Sequence, residues 1–215
     1  MSNSNTQIKE ALDWRYAVKK YDATKKINEA DLKTLKDSLL LAPSSYGLQP
    51  WKFLFIENPS LREKLKAVSW NQTQVTDASH YLVILYKEGI DANDVDKYLN
   101  RIAEVRGLPI AALDGFKGML TENVVKAPAE KIKIWSQRQA YIALGYVTQT
   151  ASLLKIDATP MEGFDPAAYD QILGLEGSGW KSVATVALGY RHAEDSAQNY
   201  KKVRFVEDEV IQTIK

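Results

Sequence analysis

The chain has 215 residues, a formal net charge of +1 and no cysteine. Its hydrophobic fraction of 45% and charged fraction of 26% are typical of a globular protein with a well-formed core. This charge balance gives no general attraction to nucleic acid or anionic membranes, and the lack of cysteine excludes disulfides and thiolate metal sites. With only His80 and His192 present, no metal centre is expected. The N-terminal stretch lacks the apolar segment of a secretion signal, so we expect a cytoplasmic protein without a membrane partner.

Residues 6–14 predict a short helix that leads into two basic residues, Arg15 and Lys19. If the helix continues, the i, i+4 spacing puts both on one face, and if it ends at Arg15 they still lie close enough to contact one anion. A second helix is predicted from an N-cap at Asn28 to a point before Pro43, because its leucines recur at helical spacing.

Residues 42–53 (APSSYGLQPWKF) predict a polar loop between that helix and a strand. Pro43 fixes φ, Gly47 permits a positive φ, and the two serine hydroxyls can bond backbone or a ligand. We expect Pro50 to push Gln49 towards an extended conformation that leads into the strand. Taken alone, this loop fits an ordinary turn as well as it fits a ligand-binding loop.

Three apolar segments predict strands, at residues 52–57, 81–86 and 182–188. The segment 81–86 is almost continuously apolar, which predicts a central strand covered on both faces. Asn58 and Pro59 have the residue types of a helix start, and that helix should run to about Trp70. Residues 158–164 predict a turn, and a short helix is expected over 166–173.

The middle of the chain is predicted to be helical. Residues 91–126 read as an excursion from the core, broken near Gly107, and are a candidate lid. Residues 129–155 predict the longest helix, and its part from 140 to 154 is apolar nearly all round. A helix that is apolar on every side is buried on every side. We therefore expect the core of a single domain on one side and a partner subunit on the other.

Cationic residues occur at both chain ends. Lys202 and Arg204 lie in a segment, 200–205, that looks extended, so they should share one face. With Arg15 and Lys19 they would form a phosphate-type anion site if the fold brings the termini together. Hydrogen bonds to a flat polar heterocycle could come from Ser44, Ser45, Asn71 and Gln74. These features together suggest one phosphorylated cofactor with a hydrogen-bonding ring.

Five motifs in this order resemble the FMN-dependent, oxygen-insensitive nitroreductases. They are R-x-x-x-K at Arg15–Lys19, PSS-x-x-x-QPW at Pro43–Trp51, Asn71 followed by Asp77-Ala78-Ser79-His80, P-x-EGF at Pro160–Phe164, and K-x-R at Lys202–Arg204. The resemblance implies an α+β fold with a central mixed, mainly antiparallel sheet flanked by helices. It also implies a homodimer built around the long helix, with two FMN sites at the subunit interface, each with parts from both chains.

The same resemblance implies roles for individual residues. Arg15, Lys202 and Arg204 resemble the FMN phosphate clamp, and Lys19 resembles the lysine that tunes the flavin at its N1/O2 edge. Asn71 resembles the residue that bonds the pyrimidine edge. The further implied FMN contacts are Tyr16, Ala17, Pro43, Ser44, Ser45, Gly47, Gln74, Glu162 and Gly163. The 162–163 turn would present a backbone N–H to flavin N5, and the 43–47 loop would come from the partner subunit.

Two aromatic residues, Tyr46 and Trp70, flank the implied site and could line a substrate slot. At four positions the chain differs from well-known members of the family. Tyr16 and Ala17 stand where His-Ser is frequent, Gly47 where an Asn often occurs, and Gln74 where a lysine would bracket the N1/O2 edge. A neutral amide stabilises an anionic reduced ring less than a lysine does. We therefore expect a somewhat lower flavin potential than a site with two lysines would give.

The implied activity is an NADH- or NADPH-dependent FMN oxidoreductase that works by two-electron ping-pong hydride transfer. Its acceptors would be small electron-poor molecules such as nitroaromatics or quinones, and no catalytic side chain is needed because the flavin carries the chemistry. The alternatives are a flavin, enone or dehalogenating reductase of the same fold, or a flavin-binding protein without turnover.

Overall fold

The computed structural model describes residues 4–215. Its helices are α1 (Ser4–Trp14), α2 (Glu29–Leu40), α3 (Pro59–Ala67), α4 (Gln74–Asp77), α5 (Ala92–Arg106), α6 (Asp114–Leu120), α7 (Ala129–Leu153), α8 (Pro166–Ile172) and α9 (Glu207–Val210). Short 3₁₀ turns lie at Ser45–Gly47, Ile110–Leu113 and Ser196–Asn199, and a π turn at Thr121–Val125. Within the described residues, none of these helices is long and apolar enough to cross a membrane.

Two helix starts follow directly from local sequence. The Asn28 side chain accepts a hydrogen bond from the Asp31 N–H at 2.9 Å, which begins α2 as predicted. The Asn58 side chain accepts one from the Leu61 N–H at 3.0 Å, and Pro59 occupies the first position of α3. Each cap satisfies a backbone donor that the helix itself leaves free, which is worth about 1 kcal/mol. Helix α3 ends at Ala67, three residues before the predicted end.

The strands are β1 (Trp51–Ile56), β2 (His80–Lys87), β3 (Asp157–Met161) and β4 (Trp180–Gly189). They form one sheet in the order β1-β2-β4-β3, and every neighbouring pair is antiparallel. The predicted α+β class is confirmed, but the sheet formed by the described residues is antiparallel throughout and not mixed.

The prediction of a turn over residues 158–164 is wrong for its first half. Residues 157–161 form β3, which pairs with β4 from Asp157 opposite Gly189 to Met161 opposite Thr185. Pro160 does not prevent this pairing because β3 lies at the edge of the sheet, where a missing N–H removes no bond to a second neighbour. The chain turns only after Met161.

Both faces of the central strand β2 are covered, as predicted. Leu82 and Ile84 point into an apolar cluster that includes residues of α2 and α7. Tyr81 and Val83 point into a second cluster that includes residues of α3 and α8. This alternation is the two-residue period of a strand, and it produces a helix–sheet–helix arrangement.

Helix α7 is the longest of the described helices, with 25 residues. One face is buried against the sheet and α2, through residues such as Ala143 and Val147. The opposite face is exposed in the single chain, with Tyr141 at 37%, Ile142 at 40% and Tyr146 at 45%. Burial on all sides is therefore not achieved within one chain.

The segment 91–126 is helical, as predicted, and has its own apolar cluster. Helix α5 begins with a capping box between Asp91 and Asp94 and is capped after Arg106 by Gly107, whose φ is +62°. Residues of α5, α6 and the π turn pack together there, and Leu48 from the 42–53 loop joins them. The excursion therefore lies against that loop.

The C-terminal segment 200–206 was predicted to be extended, and the backbone is extended at Tyr200 and Val206, but the segment pairs with no strand among the described residues. Its side chains are exposed, including Val203 at 82% and Phe205 at 78%. The segment is placed by its contact with the N-terminus, where Lys202 Nζ donates to the Leu12 carbonyl.

Candidate functional site

Three cations from opposite chain ends meet in one cleft. Arg15 directly follows α1, whereas Lys202 and Arg204 lie near the C-terminus, and all three line a cleft of about 370 Å³. Burial and the charge of Arg204 lower the pKa of Arg15. Burial and the charges of Arg15 and Arg204 lower the pKa of Lys202. The cleft thus contains mutually repelling positive charge, which an anion would neutralise.

A buried carboxylate joins the two segments that carry these cations. Asp195 is 3% exposed, and its Oδ2 accepts hydrogen bonds from the Lys19 N–H at 2.9 Å and from the Tyr16 hydroxyl at 3.1 Å. Its Oδ1 accepts from the Ala197 N–H at 3.2 Å. Burial disfavours the charged carboxylate, but the hydrogen bonds to it, led by that from the Lys19 N–H, outweigh the effect of burial. The pKa of Asp195 is therefore lowered.

On another wall of the cleft, the Arg191 side chain lies against two aromatic rings. The Arg191 guanidinium lies 4.2 Å from the Trp14 ring centroid and 4.4 Å from that of Tyr16. Its Nη2 donates to the buried Asp157 Oδ1 at 2.6 Å. Tyr16 therefore has both its ring and its hydroxyl engaged by protein groups. Ala17 also lines the cleft, whereas the Lys19 side chain is exposed outside it.

The 42–53 loop is tightly bonded. The Ser45 N–H donates to Gln139 Oε1 on α7 at 2.8 Å, and the Gln49 N–H donates to Ser44 Oγ at 2.9 Å. The expectation of an extended Gln49 is wrong, because its φ is +49°. Its carbonyl also accepts from the Trp51 N–H at 2.7 Å, so the two bonds hold Gln49 in a left-handed turn. Pro50 mainly excludes the right-handed helical region for the residue before it, so it is compatible with a left-handed Gln49.

Gly163, in the turn predicted to face the flavin ring, lies against Trp70 and Gln72, the neighbours of the predicted ring-binding residue Asn71. Trp70 and Asn71 adopt left-handed φ values of 52° and 56°, and the Trp70 ring covers Gly163. A Cβ at Gly163 would lie 2.5 Å from Trp70 Cζ3, so no other residue fits without movement. Gln72 Nε2 donates to the Gly163 carbonyl at 2.7 Å, and Glu162 Oε1 accepts from the Tyr141 hydroxyl at 2.6 Å.

The exposure of these residues differs. Trp70 is 74% exposed, Asn71 is exposed, and Gln74 is only 5% exposed at the start of α4. The Gln74 side chain is thus almost inaccessible to solvent in the single chain, although Gln74 was predicted to bond the cofactor ring.

Apart from Lys19, whose side chain lies outside the cleft, and the buried Gln74, the predicted site residues therefore form three groups in one chain. The first lies at the cation cleft, the second around Gly163, and the third in the 43–47 loop, where Pro43 and Tyr46 are exposed. Among the described residues, the side-chain hydrogen bonds of the loop to other elements run to α2, α5 and α7, and none joins it to the other two groups.

Sequence reasoning missed several residues that support these groups. Asp195 looked like one more scattered acidic residue, although its place before a short polar turn is typical of a cap. Gln139 and Tyr141 lie in a helix read only for its apolar pattern. Tyr98 lies in the excursion, and its hydroxyl donates to the Tyr46 carbonyl at 2.8 Å. No local signal points to these long-range contacts.

Comparison with known proteins is consistent across sequence and structure. The sequence profile described as "Nitroreductase family" matches residues 12–190. A Staphylococcus saprophyticus protein named "Putative NAD(P)H nitroreductase" is 34% identical over 220 residues, which cover 99% of each chain.

Solved structures show the same fold. A nitroreductase-like protein from Streptococcus mutans superposes with a TM-score of 0.83 at 19% identity, covering 98% of this chain and 100% of that one. A structure from Exiguobacterium sibiricum, titled as a putative nitroreductase in complex with FMN, superposes with a TM-score of 0.81 at 21% identity and covers both chains fully. The chain belongs to the nitroreductase family.

Proposed function

We propose that this chain is an FMN-dependent NAD(P)H oxidoreductase that reduces nitroaromatics, quinones or similar electron-poor acceptors in a two-electron ping-pong cycle. As a member of the nitroreductase family the chain is an oxidoreductase. The cofactor, the reductant, the acceptors and the cycle are the proposal. The observation that carries it is the meeting of Arg15, Lys202 and Arg204 in one cleft.

The cation cleft fits the phosphate end of FMN. Arg15 and Lys202 both have lowered pKa values because of burial and neighbouring positive charge. A phosphate would replace this repulsion with charge-assisted hydrogen bonds, which are about twice as strong as neutral ones. The Asp195 carboxylate bonds to the backbone of Lys19 and of Ala197 and so ties the two segments that line the cleft, while Lys202 and Arg204 would exchange their bonds to the Leu12 and Val203 carbonyls for bonds to the phosphate.

The group around Gly163 fits the ring of the same cofactor. Gly163 has no Cβ and is fixed by Gln72, while Glu162 is fixed by Tyr141, so this turn is held from two sides. We propose that it presents backbone N–H to the flavin and that Asn71 bonds the pyrimidine edge. Bound FMN would supply the two-electron redox chemistry that amino-acid side chains lack.

Names of related proteins support this assignment. The Staphylococcus saprophyticus relative is named for NAD(P)H, and the Exiguobacterium sibiricum structure was determined with FMN. We propose that Lys19 lies at the N1/O2 edge, with Gln74 opposite, and that Trp70 and Tyr46 line the acceptor slot. Both aromatic residues are exposed enough to touch a ligand, at 74% and 40%.

We also propose that the protein is a homodimer through α7. The exposed face of α7 carries Ile142, Tyr146 and Leu153, which would be covered by a second copy. In such a dimer the 43–47 loop of one chain would complete the site of the other. The 91–126 excursion, which packs on that loop, would then act as a lid on a single-domain protein.

The decisive experiment combines cofactor content with turnover. Purified protein should be yellow and release about one FMN per chain, since each chain has one cation cleft. It should oxidise NADPH or NADH when a nitroaromatic or quinone is added. A colourless protein that FMN does not reconstitute contradicts the proposal.

The same assay separates the alternatives. A yellow protein without NAD(P)H oxidation would be a flavin-binding protein without turnover. NAD(P)H oxidation should also be measured with free flavin, an enone and a halogenated aromatic as the acceptor. Faster oxidation with one of these than with a nitroaromatic or quinone would identify a different reductase of this fold.

A further inference from the structure

The turn at Tyr46–Gly47 has an unfavourable backbone conformation. Tyr46 has φ 58° and ψ 0°, and Gly47 follows with φ +74°. The left-handed region is uncommon for a bulky side chain such as tyrosine. Contacts with the surrounding structure are therefore needed to stabilise this conformation of Tyr46.

Tyr98 on α5 supplies that support. Its hydroxyl donates to the Tyr46 carbonyl at 2.8 Å. The same hydroxyl occupies the space that a side chain at position 47 would need, because a Cβ built on Gly47 would lie 2.2 Å from Tyr98 Oη and 3.2 Å from its Cζ. Tyr98 and Gly47 are therefore complementary, and a side chain at position 47 would displace the Tyr98 hydroxyl.

The Tyr98 ring is itself held in place. It contacts the Phe116 ring edge to face, with centroids 6.3 Å apart and planes at 67°, within the apolar cluster of the 91–126 excursion. On its other side the turn is fixed by the Ser45 N–H, which donates to Gln139 on α7. The turn is thus held between α5 and α7, while the Tyr46 side chain stays 40% exposed.

We propose that Tyr98 is a positioning residue that holds Tyr46 at the rim of the acceptor slot and thereby raises the affinity for the acceptor. This rests on the proposed function, in which Tyr46 lines that slot. Tyr98 acts through the Tyr46 carbonyl and the Gly47 backbone and does not contact the reacting atoms.

The first test uses Tyr98→Phe, which removes one hydroxyl and leaves the ring. Loss of one neutral hydrogen bond should raise the KM for a nitroaromatic or quinone about fivefold, while kcat changes less than about twofold. Asn100→Ala, an exposed change on the same helix, should alter neither constant. An active Tyr98→Phe enzyme with an unchanged acceptor KM overturns the proposal.

The second test does not depend on activity. Gly47→Ala and Gly107→Ala both put a Cβ at a left-handed position, but the Cβ at 107 meets no atom within 4 Å. Gly47→Ala should therefore lower the thermal unfolding midpoint by several degrees more than Gly107→Ala does. In the Tyr98→Ala background this excess should disappear, because the clashing hydroxyl is gone.

The two tests distinguish the possible failures. An equal effect of Gly47→Ala in both backgrounds overturns the Tyr98–Gly47 contact, whatever the enzyme does. A wild-type protein that binds no FMN and oxidises no NAD(P)H overturns the proposed function and with it the role of Tyr98 in acceptor binding.

Discussion

The Asp195 carboxylate accepts a hydrogen bond from the backbone N–H of Lys19 at 2.9 Å, although 176 positions separate the two residues. The same carboxylate caps the turn that leads to the C-terminal cations, through the Ala197 N–H. This buried charge, together with the contact between Lys202 and the Leu12 carbonyl, therefore ties the two segments that line the proposed phosphate cleft.

Replacing Asp195 with Asn should destabilise the protein and weaken FMN binding. The amide loses the negative charge, and its NH₂ group faces backbone donors, so at least one buried donor is left without an acceptor. We expect a loss of about 2 kcal/mol in the free energy of unfolding and a clear rise in the Kd for FMN. Urea unfolding of the apoprotein and FMN fluorescence titration measure the two effects.

Asp96→Asn is the matched control, since Asp96 makes a salt bridge with Lys117 while its side chain is 45% exposed. Its effect should stay below about 1 kcal/mol. Equal effects of the two Asn variants would show that Asp195 has no special role.

The lowered pKa of Asp195 also predicts an acid dependence. Because the folded pKa lies below the unfolded value of about 3.9, the stabilisation is fully present above that unfolded value and is lost as the pH falls through the folded pKa. Between pH 5 and pH 2 the free energy of unfolding should therefore fall more steeply in the wild type than in Asp195→Asn. Parallel curves for the two proteins over that range would contradict this prediction.

Arg204→Gln should separate cofactor binding from stability. The Kd for FMN should rise roughly 10- to 100-fold, as expected for one lost hydrogen bond to a charged group. The apoprotein should not become less stable, because the substitution removes a positive charge that lowers the pKa values of Arg15 and Lys202.

The matched control is Arg101→Gln, which removes one positive charge at an exposed position outside the cleft. It should leave the Kd for FMN unaltered. If both variants weaken FMN binding equally, general electrostatic attraction and not the cleft accounts for the affinity.

Gln74→Lys should raise the midpoint potential of bound FMN, on the order of 30 mV for a two-electron couple. A cation near the N1/O2 edge favours the anionic reduced ring, and the present amide does so less. Redox titration of the two proteins measures the difference. Thr73→Lys, at an exposed neighbouring position, is the control. If the midpoint potential does not rise in Gln74→Lys, Gln74 does not lie at the N1/O2 edge of the flavin.

Ile142→Asp should convert a dimer to a monomer. Ile142 is 40% exposed on the outer face of α7, and a carboxylate there would have to be buried without a partner in a dimer. Sedimentation velocity should show a two-chain mass for the wild type and a one-chain mass for the variant. Val105→Asp, at a 65% exposed apolar position on α5, should keep the wild-type mass.

Much of the fold follows from local sequence. The caps at Asn28 and Asn58 and the apolar run of β2 are encoded over a few residues, and the structure shows each of them where it was expected. The misjudged elements are those decided by neighbours. Residues 157–161 form a strand because β4 offers an edge, although their own sequence contains a proline and reads as a turn. Gln49 is left-handed because Ser44 and Trp51 bond to it.

Residue types and their spacing were enough to propose the members of the site: the cations at both ends, the loop with Gly47, and the segment with Gly163. How these residues are held depends on contacts between distant parts of the chain. Asp195 joins the two cation segments, and Tyr98 occupies the space beside Gly47. The physical reason is distance along the chain. Caps and periodicity act within a few residues, whereas each of these contacts exists only because packing brings together positions that no local pattern relates.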